Sequence, residues 1–240
     1  MSDFVRTVAL YALFPALAIV AGAVLAAFRP PSPHLRSVFQ HAAAGVVFAA
    51  VAGELLPEAR AVHSVAGVVV GFAAGVGLML VVRMLTEPAT GTGEESDNPR
   101  GLIIAVVIDL IVDGLLVGIG FAAGAEVGLL VTVALTLEVL FLGLATAAAL
   151  DRAGVRPPQA IATAVGLGAV LIASAVAGAA ILGGLSGAPF AAVLGFGSAA
   201  LLYLVTEELL VEAHEVPETP LTTAAFFAGF LALLVIEMLA

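Results

Sequence analysis

Apolar runs of more than about 18 residues recur along this chain, and a run of that length is the mark of a segment that crosses a bilayer. About twenty residues rise roughly 30 Å as a helix, the depth of a bilayer's hydrocarbon core. Eight spans can be drawn, with approximate limits 4–28, 37–58, 62–85, 101–123, 125–150, 158–184, 188–212 and 219–240. The expected fold class is therefore an all-α integral membrane protein, with residues 1–240 as one transmembrane domain. The joints carry turn chemistry: Arg29-Pro30-Pro31-Ser32-Pro33, Arg156-Pro157-Pro158 and Val216-Pro217-Glu218-Thr219-Pro220. The longest connection, 86–100, is acidic and rich in Gly, Thr and Ser, and reads as a flexible loop. The first run, Val8 to Phe28, is longer than the apolar core of a secretory signal and reads as a retained span.

Composition narrows the partners. The chain is 62% hydrophobic and 11% charged, against about 25% charged in soluble domains. Cysteine is absent, which removes disulfides and thiolate metal sites. The net charge of −10 makes cations the natural partners and argues against nucleic acid. All the basic residues are arginines, and they are unevenly placed. Arg29, Arg36, Arg83, Arg100, Arg152 and Arg156 share one side of the spans; Arg6 and Arg60 share the other. The positive-inside rule puts the first group, and the 86–100 loop, in the cytoplasm, with both termini outside.

Against this apolar background three acids stand out. Asp109 and Asp113 lie near the middle of the fourth span, and Glu138 near the middle of the fifth. An ionised carboxylate at bilayer centre costs about 2.5–3.5 kcal/mol on insertion scales, so such residues mark ion or proton sites by default. Spacing i, i+4 puts both aspartates on one helix face. Glu138 on the antiparallel neighbour could close a site from the other side, and a divalent cation would relieve both the repulsion and the cost of burial. The alternative is a set of neutral acids hydrogen-bonded between helices. Thr132 and Thr136 share the span of Glu138, but intramembrane threonines usually bond back to their own helix.

Further acids spread along the membrane normal. Glu54 lies near the outer end of span two, and Glu207 and Glu208 toward the inner end of span seven. Glu58 and His63 would flank the outer mouth; Glu212, His214 and Glu215 would flank the inner one. Glu54, Glu58, Glu207, Glu208, Glu212 and His214 are the candidates for a transport pathway, set against the plainer reading of solvated headgroup residues. His41 and Glu237 read as interfacial. Gly71, Gly75, Gly118, Gly120, Gly124 and Gly178 fit small-residue helix packing.

The text of the chain also echoes itself. Gly53-Glu54-Leu55-Leu56-Pro57-Glu58-Ala59 ends span two, and Glu207-Glu208-Leu209-Leu210-Val211-Glu212-Ala213 ends span seven. Asp109 with Asp113-Gly114-Leu115 in span four is matched by Glu138 with Leu142-Gly143-Leu144 in span five. Partners an odd number of spans apart cross in opposite directions, which is the pattern of an inverted repeat with its site at midplane.

These segments together resemble the ZIP family of zinc and iron transporters. The resemblance rests on His41-Ala-Ala-Ala-Gly45 leading to Glu54-Leu-Leu-Pro-Glu58, on Asp113-Gly114-Leu115-Leu116-Val117-Gly118, and on Leu202-Tyr203 leading to Glu208 and His214. It implies eight spans in an inverted-repeat arrangement, a homodimer, a location in the plasma or inner membrane, and a midplane site in spans four and five. The family builds that site with histidines, prolines and glutamates. Here Asp109 and Glu138 stand at the histidine positions, Val112 and Phe141 at the prolines, and Leu142 at a glutamate; span six has no acid. Carboxylate ligands suit magnesium, calcium and manganese, whereas imidazole suits zinc, copper, iron and nickel.

The expected function is divalent metal transport, with Asp109, Asp113 and Glu138 as ligands. The cargo is a zinc, iron, manganese or magnesium class ion, and no prosthetic group is expected. Two rivals remain: a transport-inactive protein with a structural or regulatory role, suggested by the replaced histidine, proline and glutamate positions, and a proton or monovalent-cation pathway that uses the same acids. An enzyme is not expected. Both aspartates share one helix, and neither HExxH nor Gly-x-Ser-x-Gly occurs.

Overall fold

The computed structural model describes residues 3–28, 32–86, 99–217 and 219–239. Most of the loop expected over 86–100 falls outside the described residues, as do Arg29, Pro30, Pro31 and Glu218 of the proline-rich joints. Among the described residues eight helical segments are long and apolar enough to cross a membrane: α1 (Asp3–Phe28), α2 (Pro33–Ala61), α3 (Val65–Met84), α4 (Gly101–Ala123), α5 (Ala125–Arg152), α6 (Pro157–Leu182), α7 (Gly187–Ala213) and α8 (Pro220–Leu239). No strand occurs among the described residues. The chain is an all-α, multi-pass membrane protein.

Local chemistry explains the boundaries. The second helix starts at Pro33, earlier than the 37 expected, because Ser32 caps it. The serine side chain accepts from the Leu35 amide at 3.3 Å, and Pro33 supplies a pre-set φ in the first turn. At its far end α2 turns into α3 through His63, which takes a positive φ of 55°. The α6–α7 joint turns at Gly184, where φ is 103° and an L side chain would be strained.

Two helices contain π-helical segments. Val51–Leu55 in α2 and Leu204–Leu209 in α7 adopt π geometry. Glu54 lies on the first segment, and Glu207 and Glu208 on the second. Such insertions occur mostly as short bulges and often at functional sites. The helices α4 and α5, which contain no proline between Gly101 and Arg152, run without interruption.

Four close helix pairs build the bundle: α1 with α5, α4 with α6, α3 with α7, and α2 with α8. Helices α4 and α5 also pack on one another, as do α1 and α6. Exchanging α1 with α6, α2 with α7, α3 with α8 and α4 with α5 maps this set of pairs onto itself. Each exchange joins helices of opposite direction, so the packing has the form of an inverted repeat. Glycines set the separations. A Cβ on Gly22 would fall 2.1 Å from the Leu140 carbonyl oxygen, and one on Gly143 would fall 2.3 Å from that of Ile19. Gly71 likewise meets Ala192, Gly114 meets Ser174 and Leu171, and Gly45 meets Phe226. Only a residue without a side chain permits such approach. The most enclosed helix is α5, while α3 and α8 present much of their length outward, with Val69, Val70, Phe227 and Leu231 exposed.

Candidate metal centre

Two helices supply the three mid-span acids. On α4 the i, i+4 spacing turns Asp109 and Asp113 the same way, and α5 packs alongside and carries Glu138 toward them. One carboxylate oxygen from each lies within 4.8 Å of the others. Among the described residues this is the one group of three acids or imidazoles close enough to share an ion. Asp113 is fully buried and Glu138 is 4% exposed. Both Asp113 oxygens and Glu138 Oε2 lack any hydrogen-bond partner. Buried polar atoms are almost always paired, so three orphan carboxylate oxygens at one point are exceptional. Their geometry fits a divalent cation. Oxygen ligands about 2.0–2.6 Å from a common centre lie roughly 3–5 Å from one another, depending on angle.

The hydroxyls nearby are already engaged. Thr132 donates to the Gly128 carbonyl at 2.6 Å and Thr136 to that of Thr132 at 2.6 Å. Ser174 on α6 packs on Gly114, next to Asp113, but its hydroxyl proton is shared between the carbonyls of Leu171 at 2.9 Å and Leu110 at 3.2 Å. The centre is thus all-carboxylate.

Asp109 differs from its two partners in being only partly buried, because it lines a cavity of about 310 Å³. The cavity runs between α3, α4 and α7 toward the end of the bundle that carries Arg36, Arg83, Arg152 and Arg156. Glu208 and Glu212 line it, as do Tyr203 and Leu142. Leu142 makes part of that wall apolar. Tyr203 presents a buried hydroxyl without a partner. Glu208 stands within electrostatic reach of both Asp109 and Glu212, so carboxylates line the route from midplane to rim.

The other pathway candidates divide. Glu207 accepts from Arg83 at 2.7 Å, an ion pair that bridges α7 to α3 across the cavity wall. Glu212 is held by Gln40 at 2.5 Å, with Arg36 at 3.9 Å, and Arg36 also donates to Glu215 at 3.0 Å. His214 meets His41 edge-on, their ring centres 5.2 Å apart. His41 is 4% exposed, so its ring is enclosed by the bundle. Glu54 and Glu58 stand apart, at the opposite end, in a group with Glu126 and Glu237. The Glu237 carboxylate reaches Gly53, where a Cβ would lie 2.6 Å from Oε1. Between that group and the midplane acids lies a dry plug. A Cβ on Gly197 would already touch Ile119, Leu116 and Leu55, all of them buried.

Sequence reasoning passed over Arg83, Arg36, Gln40 and Tyr203. Gln40 gave no signal, since an amide near the start of an apolar run is ordinary. The arginines could be counted by side but not paired, because their partners are 124 to 179 residues away in the chain. No family model matches this chain, and no curated protein matches it either.

Proposed function

We propose that this membrane protein is a ZIP-like divalent-cation carrier that binds its cargo at Asp109, Asp113 and Glu138. The observation that carries the reading is the meeting of these three carboxylates, with three unpartnered buried oxygens, at the blind end of a cavity lined by further acids. Burying an unpaired carboxylate is costly, and a cation that all three share offsets that cost. Oxygen-only ligands favour manganese, magnesium or a partly hydrated zinc or iron ion over a dehydrated soft one. At about 30 Å³ per water, the cavity has room for roughly ten waters, enough to admit a hydrated ion as far as Asp109.

The arginine distribution supports placing the cavity mouth in the cytoplasm. The dry plug of Leu55, Leu116 and Ile119 then closes the external side, so this conformation is inward-facing. Transport requires the plug to open while the cavity closes. The inverted packing offers a route, since related helix sets can exchange roles by rocking about α4 and α5. On this reading Glu54 and Glu58 receive the ion outside, and Glu208 and Glu212 take it after the midplane. A plasma or inner membrane location and a homodimer come with the ZIP resemblance and stand or fall with it.

The test is uptake into proteoliposomes of the full chain, with isothermal titration alongside. Manganese, zinc, iron, cobalt, cadmium and magnesium are offered with and without a pH gradient. At least one ion should accumulate, and Asp113→Asn should weaken its binding at least about tenfold, since even supporting residues at metal sites are worth that much. Binding requires deprotonated carboxylates and releases protons, so affinity should fall as pH is lowered. No flux and no binding for any of the six would end the carrier reading. Proton flux without divalent binding would replace it with a proton pathway.

A further inference from the structure

Arg83 stands among acids. With Asp109, Glu207, Glu208 and Glu212 it lines the cavity that leads to the midplane centre. A cleft lined by carboxylates attracts cations, and a permanently charged guanidinium inside it works against that attraction. Its Nη1 lies 2.7 Å from Glu207 Oε2, and the two side chains are 46% and 42% exposed. A pair that exposed contributes little to stability. Its positive charge, by contrast, acts on any ion that enters the cavity.

The lining acids divide by partner. Glu207 is taken by Arg83, and Glu212 accepts from Gln40. Asp109 and Glu208 make no hydrogen bond or ion pair among the described residues. Glu207 and Glu208 are successive residues of the π segment in α7, and both line this cavity. An ion leaving the midplane thus finds Glu208 open and Glu207 already engaged by an internal cation. Opposite charges across a cavity wall could instead form a gate that breaks when helices part. The packing argues against this, because α3 and α7 are in backbone contact. A Cβ on Gly71 would overlap the Ala192 carbonyl oxygen, one on Gly195 would lie 2.6 Å from that of Val68, and one on Gly75 2.7 Å from that of Phe196. Helices joined in this way move together, and the Arg83–Glu207 pair moves with them.

We propose that Arg83 sets how strongly the cavity holds a cation: by pairing with Glu207 it keeps one lining carboxylate out of the ion's coordination and lowers the negative charge around the others. Affinity for a divalent ion is tuned by the number of charged ligands offered to it. Passage needs binding strong enough to admit the ion and weak enough to let it go. Arg83 acts through Glu207 as a positioning residue for release. Its part in releasing cargo rests on the carrier reading, whereas the charge offset in the cavity does not.

The test uses the full chain in detergent with Ala105→Cys, a lining position and the single thiol in a chain without cysteine. Its rates of modification by a cationic and by an anionic methanethiosulfonate are measured, and their ratio reads the charge of the cavity. Arg83→Gln should raise the ratio about threefold or more, Glu207→Gln should lower it by a similar factor, and the two together should return it to within about twofold of the parent. Arg83→Lys should leave it near the parent value. A structure that had merely loosened would speed both reagents alike and leave the ratio unmoved. In proteoliposomes of the cysteine-free chain, Arg83→Gln should lower the maximal rate of manganese uptake about threefold or more by slowing release, and adding Glu207→Gln should restore it. An unchanged ratio in Arg83→Gln overturns the charge offset. A raised ratio with unchanged uptake overturns the role in release. No manganese uptake by the parent removes that role along with manganese as cargo, while the ratio still decides the offset.

Discussion

Asp113 is the residue on which the chemistry turns, since it is fully buried and neither of its oxygens is paired. Such a group is a burden to the empty protein. Asp113→Leu should raise thermal stability in the absence of metal by about 1–3 kcal/mol, the usual cost of an unsatisfied buried polar group, while abolishing metal binding. Differential scanning fluorimetry with and without manganese reads both halves, and a destabilised variant would contradict the claim that the carboxylate is unpaired. On the proposed reading Glu138 is a ligand that sets ion preference. Glu138→His puts an imidazole among the carboxylates, and competition titration should then move preference toward zinc over manganese. An unchanged order would mean that Glu138 is not a ligand. Both residues were legible in the sequence because a carboxylate in an apolar span is conspicuous. Gln40 and Arg83 were not, since an amide or arginine near a span end is ordinary until its partner is seen.

At the scale of the helix, the glycines separate into those that hold contacts and those that do not. Gly45 faces α8 so closely that a Cβ would lie 2.0 Å from the Phe226 carbonyl oxygen, whereas a Cβ on Gly166 would meet nothing within 4 Å. Gly45→Ala should therefore lower stability by about 1–3 kcal/mol, the range for overpacking. Gly166→Ala should raise it by about 0.5–1 kcal/mol through helix propensity. Thermal melts of the two variants side by side check this, and equal effects would refute the packing of α2 on α8. Helix existence and approximate limits were readable from apolar length alone. The π segments were not: Leu204–Leu209 carries neither glycine nor proline, and Gly53 and Pro57 in and just after Val51–Leu55 mark an irregular turn without fixing its type. The echo of Glu54-Leu-Leu with Glu208-Leu-Leu was the only hint that these two stretches correspond.

For the whole molecule the question is which side the cavity faces. The chain has no cysteine, so a single introduced one reports cleanly. Ala105 lines the cavity, and Leu116 sits in the dry plug with 1% exposure. In oriented vesicles Ala105→Cys should react with a membrane-impermeant maleimide from the cytoplasmic side only, and more slowly when a transported ion is present. Leu116→Cys should resist from either side. Reaction of Ala105→Cys from outside would reverse the orientation read from the arginines. The inverted repeat was partly visible from the echo between spans two and seven and between four and five. That α1 corresponds to α6, and α3 to α8, emerged only from which helices pack together.

Apolar runs of about twenty residues determined that this is a helical membrane protein, because a single segment of that length pairs its backbone groups within lipid only as a helix. The position of three acids within two spans determined where an ion site could be, because a carboxylate in an apolar span is costly and marks an ion or proton site by default. Tertiary structure alone decided that those acids share one point, that Asp109 opens to a cavity while Asp113 and Glu138 do not, and that His41 meets His214. Each of these is a contact between segments distant in the chain, and spacing along a helix fixes the face a residue takes but not what stands opposite it.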